Sequence, residues 1–300
     1  MLVISNLLFF RKVENSNEKQ AESSTTPFAF TNLFWAGENN AYSNQFIATT
    51  NKGQALIFNS ATGACINQFN FQGVLNTCAI EQVENGMMAV GGFDGGIYLK
   101  SINTSKDRKD EDNGTKKFTG HQGVVSSVRF MNTSFMISAS YDSVLLLWDI
   151  NSQGKFVSSY HDHNSEVSGL DVSDINGNIF ATGSGDTTVK LWDVREKKAC
   201  VATFKGSDST VNCVKFLPGR LSTLAAGSED STIRLYDLRA FKEMGVYRKK
   251  NTFHSINSIG FSKSGQLLFA SYNETFSINF WDLFGNGSPF HEHKHEKVYK

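Results

Sequence analysis

Only 3 prolines accompany 25 glycines in the 300 residues, and charged residues make up just 19%. That scarcity excludes a bundle of long, charge-laced helices and suits a chain of many short turns, so an all-β fold is expected. Lys plus Arg total 29 and Asp plus Glu total 29, so the formal charge is zero. No global field draws the chain to nucleic acid or anionic lipid. The four cysteines, Cys65, Cys78, Cys200 and Cys213, form no CxxC pair. Neither a zinc site nor a disulfide framework is signalled, which points to a reducing, cytoplasmic setting. No stretch approaches the ~18 apolar residues of a membrane span. Met1 to Phe10 is apolar but short, and Arg11 and Lys12 follow the apolar run where a secretory signal has its basic residues first. Nor do the last residues, EKVYK, hold a prenylation box. There is no Walker A loop, Rossmann fingerprint, HExxH or GxSxG, so no enzyme and no cofactor is expected. What is present is 40% hydrophobic and 12% aromatic residues, enough for a substantial core.

The apolar residues are organised as repeats. LLLWDI (145–150), VKLWDV (189–194), IRLYDL (233–238) and INFWDL (278–283) place Asp149, Asp193, Asp237 and Asp282 at intervals of 44, 44 and 45. Weaker copies upstream, ALIFNS and IYLKSI, put Asn59 and Ser101 at the aspartate position, with intervals of 42 and 48. The long interval contains SKDRKDEDNGTKK (105–117), read as a solvated surface loop. A period of about 40 to 45 residues is that of a WD40 propeller blade. Each unit predicts four short strands, as in GVVSSVRF, FMISAS, VLLLWDI and KFVSSY of the third copy. From Phe28 there are six such units. Residues 1–27 are read as a flexible extension and 28–300 as an all-β WD40 β-propeller domain.

An acidic residue recurs in the turn before the third strand: Asp94, Asp142, Asp186 and Asp230. In the third unit His121, Ser138, Asp142 and Trp148 are expected to form a buried hydrogen-bonded chain, and in the fourth His163, Thr182, Asp186 and Trp192. A His, a Ser and an Asp resemble a catalytic triad on paper. Recurrence at the blade period argues for scaffold instead. The fifth and sixth units have no His at this position, and looser blades are expected there. In HEHKH (291–295), His293 is read as the histidine that opens a next repeat, in preference to an adventitious metal ligand.

Several stretches resemble one family, the β subunit of heterotrimeric G proteins. FSKSGQLLFASYNETFSINFWDL (261–283) resembles that family's sixth-blade sequence and GSEDSTIRLYDLRA (227–240) its fifth. GSGDTTVKLWDVRE (183–196) and GHQGVVSSVRFMNTSFMISASYDSVLLLWDI (120–150) are similar to its fourth and third. The resemblance implies a seven-bladed propeller that binds a GTPase α subunit on its top face and a γ subunit through an N-terminal helix. Carried over by position, Glu166 and Glu229 stand for contact aspartates, Asn212 for a contact asparagine, Phe93 for a leucine and Gln122 for a threonine. Elsewhere the implied face differs. Gln54 replaces a lysine, Val74 a tryptophan, Asn76 and Ser168 methionines, and Thr210 an aspartate. Loss of an aromatic anchor such as that tryptophan removes ~2 kcal/mol or more from an interface.

Residues 1–27 carry no apolar heptad, and Ser23, Ser24, Thr25, Thr26 and Pro27 break any helix there, so no γ-binding coiled coil is expected. Only 18 residues follow Asp282 where a further blade needs about 44. Three arrangements remain open: a ring of six, an open ring, or a portion of a longer product, the last preferred. The functional expectation is a non-enzymatic transducer whose partner is a G-protein α subunit, at the inner face of the plasma membrane through that partner. The alternative is a general WD40 scaffold in a complex unrelated to G proteins.

Overall fold

A computed structural model describes residues 29–35, 44–81, 86–102, 114–152, 154–249, 253–273, 277–283 and 289, and the backbone of 291–294. The expectations for residues 1–27, for EKVYK (296–300) and for the side chains of HEHKH lie outside the described residues. Twenty-four described strands form six four-stranded antiparallel sheets, each a meander in chain order. Blade 1 comprises β1 (Phe30–Trp35), β2 (Gln45–Thr50), β3 (Gln54–Asn59) and β4 (Cys65–Asn70), and blade 2 β5 (Leu75–Ile80), β6 (Met87–Gly92), β7 (Ile97–Ser101) and β8 (Lys116–Phe118). Blade 3 comprises β9 (Val125–Phe130), β10 (Phe135–Ser140), β11 (Leu145–Asp149) and β12 (Phe156–Tyr160), and blade 4 β13 (Val167–Val172), β14 (Ile179–Ser184), β15 (Val189–Asp193) and β16 (Cys200–Phe204). Blade 5 comprises β17 (Val211–Phe216), β18 (Thr223–Ser228), β19 (Thr232–Asp237) and β20 (Lys242–Arg248), and blade 6 β21 (Ile256–Phe261), β22 (Leu267–Tyr272), β23 (Ser277–Asp282) and β24 (His291–Lys294).

Two sequence-based boundaries shift. Lys116 and Lys117, assigned to the charged loop, pair with Leu99 and Tyr98 as part of β8, because Phe118 is buried and fixes their register. His293 does not open a further repeat. Its backbone pairs with Ile278, which makes it part of the outer strand of blade 6.

The middle strands of a blade are covered on both faces, so they read as near-continuous apolar runs instead of alternating ones. β18, TLAAGS, is buried at every position. Their residues are small where the next blade leans in. A Cβ on Gly91, Gly183 or Gly227 would lie 2.6, 2.5 and 2.8 Å from a methyl group of Val125, Val211 and Ile256 respectively, each the first residue of the next blade's inner strand. Five apolar cores result, one between each pair of consecutive blades, and Trp148, Trp192 and Trp281 are fully buried in three of them. Burial of one such side chain contributes about 1.5–3 kcal/mol.

The inner strands pack in order from β1 to β21, and no comparable contact joins β21 to β1 among the described residues. β1 is half-buried along its whole length, unlike β9 and β13, which have a blade on either side. A separate cluster of Phe46, Ala48, Leu56 and Phe58 lies on the face of blade 1 turned away from blade 2. Along the inner strands, Asp171 of β13 accepts from Lys215 Nζ of β17 at 2.6 Å and lies 3.7 Å from Arg129 Nε of β9. The Arg129 guanidinium in turn stacks 5.1 Å from the Phe34 ring of β1. Blades 1, 3, 4 and 5 are thereby joined around the centre.

Candidate protein-docking face

The same backbone hydrogen bond recurs in all six blades. The residue after the second strand donates its N–H to the carbonyl of the residue before the first: Asn51 to Ala29, Phe93 to Val74, Tyr141 to Val124, Gly185 to Glu166, Glu229 to Thr210 and Asn273 to Ser255, at 2.8–3.0 Å. Each bond ties the turn between second and third strands to the loop that enters the blade. Together the pairs form one rim at one end of the molecule.

That rim is divided by chemistry. On blades 2 and 3 it is apolar: Val74, Phe93 and Tyr141 are 37%, 51% and 50% exposed. On blades 4 and 5 it is acidic. Gly185 takes the place of the aromatic, and the Glu166 carboxylate folds over it, held by the Ser165 hydroxyl. A Cβ at Gly185 would lie 2.4 Å from Glu166 Oε1, so the bare turn is what leaves room for the carboxylate. Glu229 is exposed and accepts from Ser209 Oγ at 3.1 Å.

The other implied contacts are placed less openly. Gln122 is exposed, and its N–H donates to Asp142 Oδ2 at 2.8 Å. Gln54 is half-buried at the start of β3. The Asn212 amide donates to the Ile256 carbonyl at 2.9 Å, and the Asn76 amide to the Val125 carbonyl at 3.0 Å. Both asparagines therefore join one blade to the next. Ser168 and Thr210 are half-buried.

Beneath the rim lie the polar chains. In blade 3, His121 Nδ1 is 3.1 Å from Asp142 Oδ2 and its Nε2 2.7 Å from Ser138 Oγ, which also accepts from Trp148 Nε1 at 2.8 Å. In blade 4, His163 Nδ1 is 2.8 Å from Asp186 Oδ2 and its Nε2 2.7 Å from Thr182 Oγ1, the acceptor of Trp192 Nε1 at 2.8 Å. The His121 side chain has no exposed surface, so this Ser–His–Asp set cannot meet a substrate. Burial raises both aspartates, but the His rings and the amide donors outweigh it and hold Asp142 and Asp186 well below the usual carboxylate range.

Blade 5 has Ser207 where blade 4 has His163, yet its turn aspartate is not left alone. Arg234 Nη1 reaches Asp230 Oδ2 at 2.7 Å, and Arg234 Nε is 3.4 Å from Glu243. Blade 2 solves the same problem from the same strand position: Tyr98 Oη donates to Asp94 at 2.8 Å, with Lys117 Nζ at 3.0 Å. In blade 6 the corresponding turn lies outside the described residues, and Trp281 Nε1 and both amide atoms of Asn279 are buried with no hydrogen-bond partner among the described residues. The looser network expected of two blades is found in part in both: in blade 5 an arginine two residues before Tyr236 holds the turn aspartate, but the buried Tyr236 hydroxyl has no hydrogen-bond partner among the described residues. Sequence reasoning missed Arg234, Tyr98 and Tyr141. Aligning the units on their third strands shows the first two, and aligning the turns shows Tyr141 beside Phe93.

A cleft of about 770 Å³ opens at the blade 4–5 rim between Asp186, Lys190, Lys205 and Asp208. Asp186 is already engaged by His163, Asn164 and Thr188. Among the described residues there is no group of His, Cys, Asp or Glu placed to hold a metal ion, and no helix is long and apolar enough to cross a membrane.

Two comparisons with known proteins bear on this face. The guanine nucleotide-binding protein subunit β of Dictyostelium discoideum is 43% identical over 251 residues, which is 83% of this chain and 69% of that protein. The chain belongs to the G-protein β-subunit family. The β subunit of Lymnaea stagnalis is 43% identical over 252 residues, 84% of this chain and 70% of its own length. The G(I)/G(S)/G(T) subunit β-1 of Homarus americanus is 42% identical over 241 residues, 80% and 68%. Residues 127–294 also match the propeller family model described as nucleolar protein 10-like, N-terminal domain. Membership in the Gβ family and the WD40-type propeller fold therefore rest on alignment as well as on geometry.

Proposed function

We propose that this Gβ-family propeller is a non-enzymatic signal transducer that binds a GTPase α subunit through the rim. The observation that carries the reading is the likeness to guanine nucleotide-binding protein β subunits over more than four-fifths of the chain. The rim supports it: Phe93, Glu166 and Glu229, three positions implied by the resemblance, face outward or line one continuous surface at that end. Gln54, Gln122 and Asn212 belong to the proposed surface with smaller parts, Asn212 chiefly as a brace. Rigid presentation is the mechanism, since stacked blades fix the loops before a partner arrives. The setting proposed is the cytoplasm, at the membrane through the partner.

The match to a nucleolar protein 10-like propeller favours a second reading, a scaffold for a complex without a GTPase. A pull-down against GDP-bound and GTP-analogue-bound α subunit separates the two. Retention of the GDP form alone, weakened by Glu166→Lys with Glu229→Lys, is the expected result. If a folded chain retains neither form, the transducer reading is lost and the scaffold remains.

A further inference from the structure

We infer that the outer edge of blade 5 is a separate interaction surface, and that it takes an extended segment with acidic ends and an apolar middle, added to β20 as a fifth strand. None of the positions implied as α-subunit contacts lies on that edge.

β20 ends its sheet, so alternate residues turn an N–H and a C=O outward to solvent. At seven residues it is the longest of the described outer strands. It is also held in place: Tyr247 Oη donates to the Leu283 carbonyl beyond β23 at 3.4 Å, and Glu243 lies 3.4 Å from Arg234 Nε on β19. Val246 and Arg248 pair with Arg234 and Thr232, so they share one face of the strand. Val246 is 46% exposed, and Met244, the extra residue of the bulge before it, 58%. Past Arg248 the line continues with Phe253, which is 84% exposed and whose ring lies 5.6 Å from the Arg248 guanidinium. A fixed edge with an apolar centre loses little freedom when a strand covers it.

Charge selects the occupant. Phe253 covers one face of the Arg248 guanidinium and leaves its edge for a carboxylate, and neither Arg248 nor Lys242 makes an ion pair among the described residues. The one acid of the strand, Glu243, is already beside Arg234. A second copy of the chain is a poor fit: paired antiparallel about Gly245, Lys242 would stand opposite the copy's Arg248, and like charges directly opposite are destabilising. A segment with glutamate or aspartate at both ends meets complementary charge instead, and aliphatic residues between them cover Met244 and Val246.

The test uses the full chain and no α subunit, so it stands or falls apart from the proposed function. A fluorescein-labelled peptide with two glutamates at each end and two valines between serines is titrated beside its lysine counterpart. The glutamate peptide is expected to bind about tenfold or more tightly than the lysine one. Lys242→Glu with Arg248→Glu is expected to reverse that preference, and Phe253→Ser to weaken binding, both with an unchanged unfolding midpoint because the three side chains are exposed. Backbone pairing is read separately, by N-methylating the nitrogens along one edge of the glutamate peptide and then along the other. Only one of the two methylated peptides is expected to lose binding, since a strand pairs through one edge. Binding of neither peptide, equal binding of both, a preference that survives the charge reversal, or indifference to both methylations overturns the proposal.

Discussion

At position 270 a single oxygen atom distinguishes blade 6 from blades 3 and 4. Ser138 and Thr182 each accept from an indole on the next strand, two residues beyond their own register partner, and Ala270 occupies the matching place opposite Asn279. Trp281 is fully buried, so its N–H has lost water without gaining an acceptor. A buried unsatisfied group costs about 1–3 kcal/mol, while serine differs from alanine by little volume. Ala270→Ser is therefore expected to stabilise the protein by about 1 kcal/mol, seen as a higher urea midpoint with an unchanged slope. No gain would mean that the new hydroxyl fails to reach Nε1. The reverse change at Ser138 strands both His121 Nε2 and Trp148 Nε1, which is why that serine and that histidine occur together.

The element that repeats most strictly is the turn between second and third strands. Its central residue has positive φ in five blades: Gly53 at 77°, Gly95 at 75°, Ser143 at 68°, Thr187 at 67° and Ser231 at 69°. Side chains in that conformation are held by the preceding aspartate, whose carboxylate accepts the N–H two residues on: Asp142 from Val144 at 3.0 Å, Asp186 from Thr188 at 3.0 Å and Asp230 from Thr232 at 2.9 Å. Glycine is required only where another loop passes close. Gly95→Ala places a Cβ against the His121 carbonyl and is expected to lower stability by about 2 kcal/mol, whereas Ser143→Gly relieves the left-handed strain and costs nothing or gains up to about 1 kcal/mol. Thermal unfolding of the two variants checks this. A loss at Gly95 no larger than the gain at Ser143 would show that φ alone, and not the neighbouring loop, decides the residue.

Across the whole molecule, the turn aspartates act together on the response to acid. Burial raises Asp142, Asp186 and Asp230, yet histidine, arginine, hydroxyl and amide donors bring each below the ordinary value of 3.8. A carboxyl whose folded value is depressed stabilises the fold above its unfolded value, and that contribution is lost as pH falls through the folded one. The urea midpoint is therefore expected to change little between pH 7 and 5 and to fall steeply below about pH 4. Asp142→Asn with Asp186→Asn should flatten the acid limb and lower stability at neutral pH. A variant limb as steep as that of wild type would place the acid sensitivity elsewhere.

Sequence by itself determined the six repeat units, the four-strand pattern and the polar chains of blades 3 and 4, because all of these depend on spacing along one chain: a period near 44, alternation within strands, and a histidine, a serine or threonine and an aspartate at fixed offsets from a tryptophan. Tertiary structure decided what depends on neighbours in space. It put Arg234 and Tyr98 in the histidine's place, since two different side chains on one strand face can reach the same turn. It gave the Asn212 amide to the next blade's backbone and drew Lys116 and Lys117 into a strand through the burial of Phe118. It also packed the turns that carry Phe93 and Tyr141 against the two sides of the loop 121–124. Those residues are 48 apart in the chain, and only the packing of two turns against one loop makes a single surface of them.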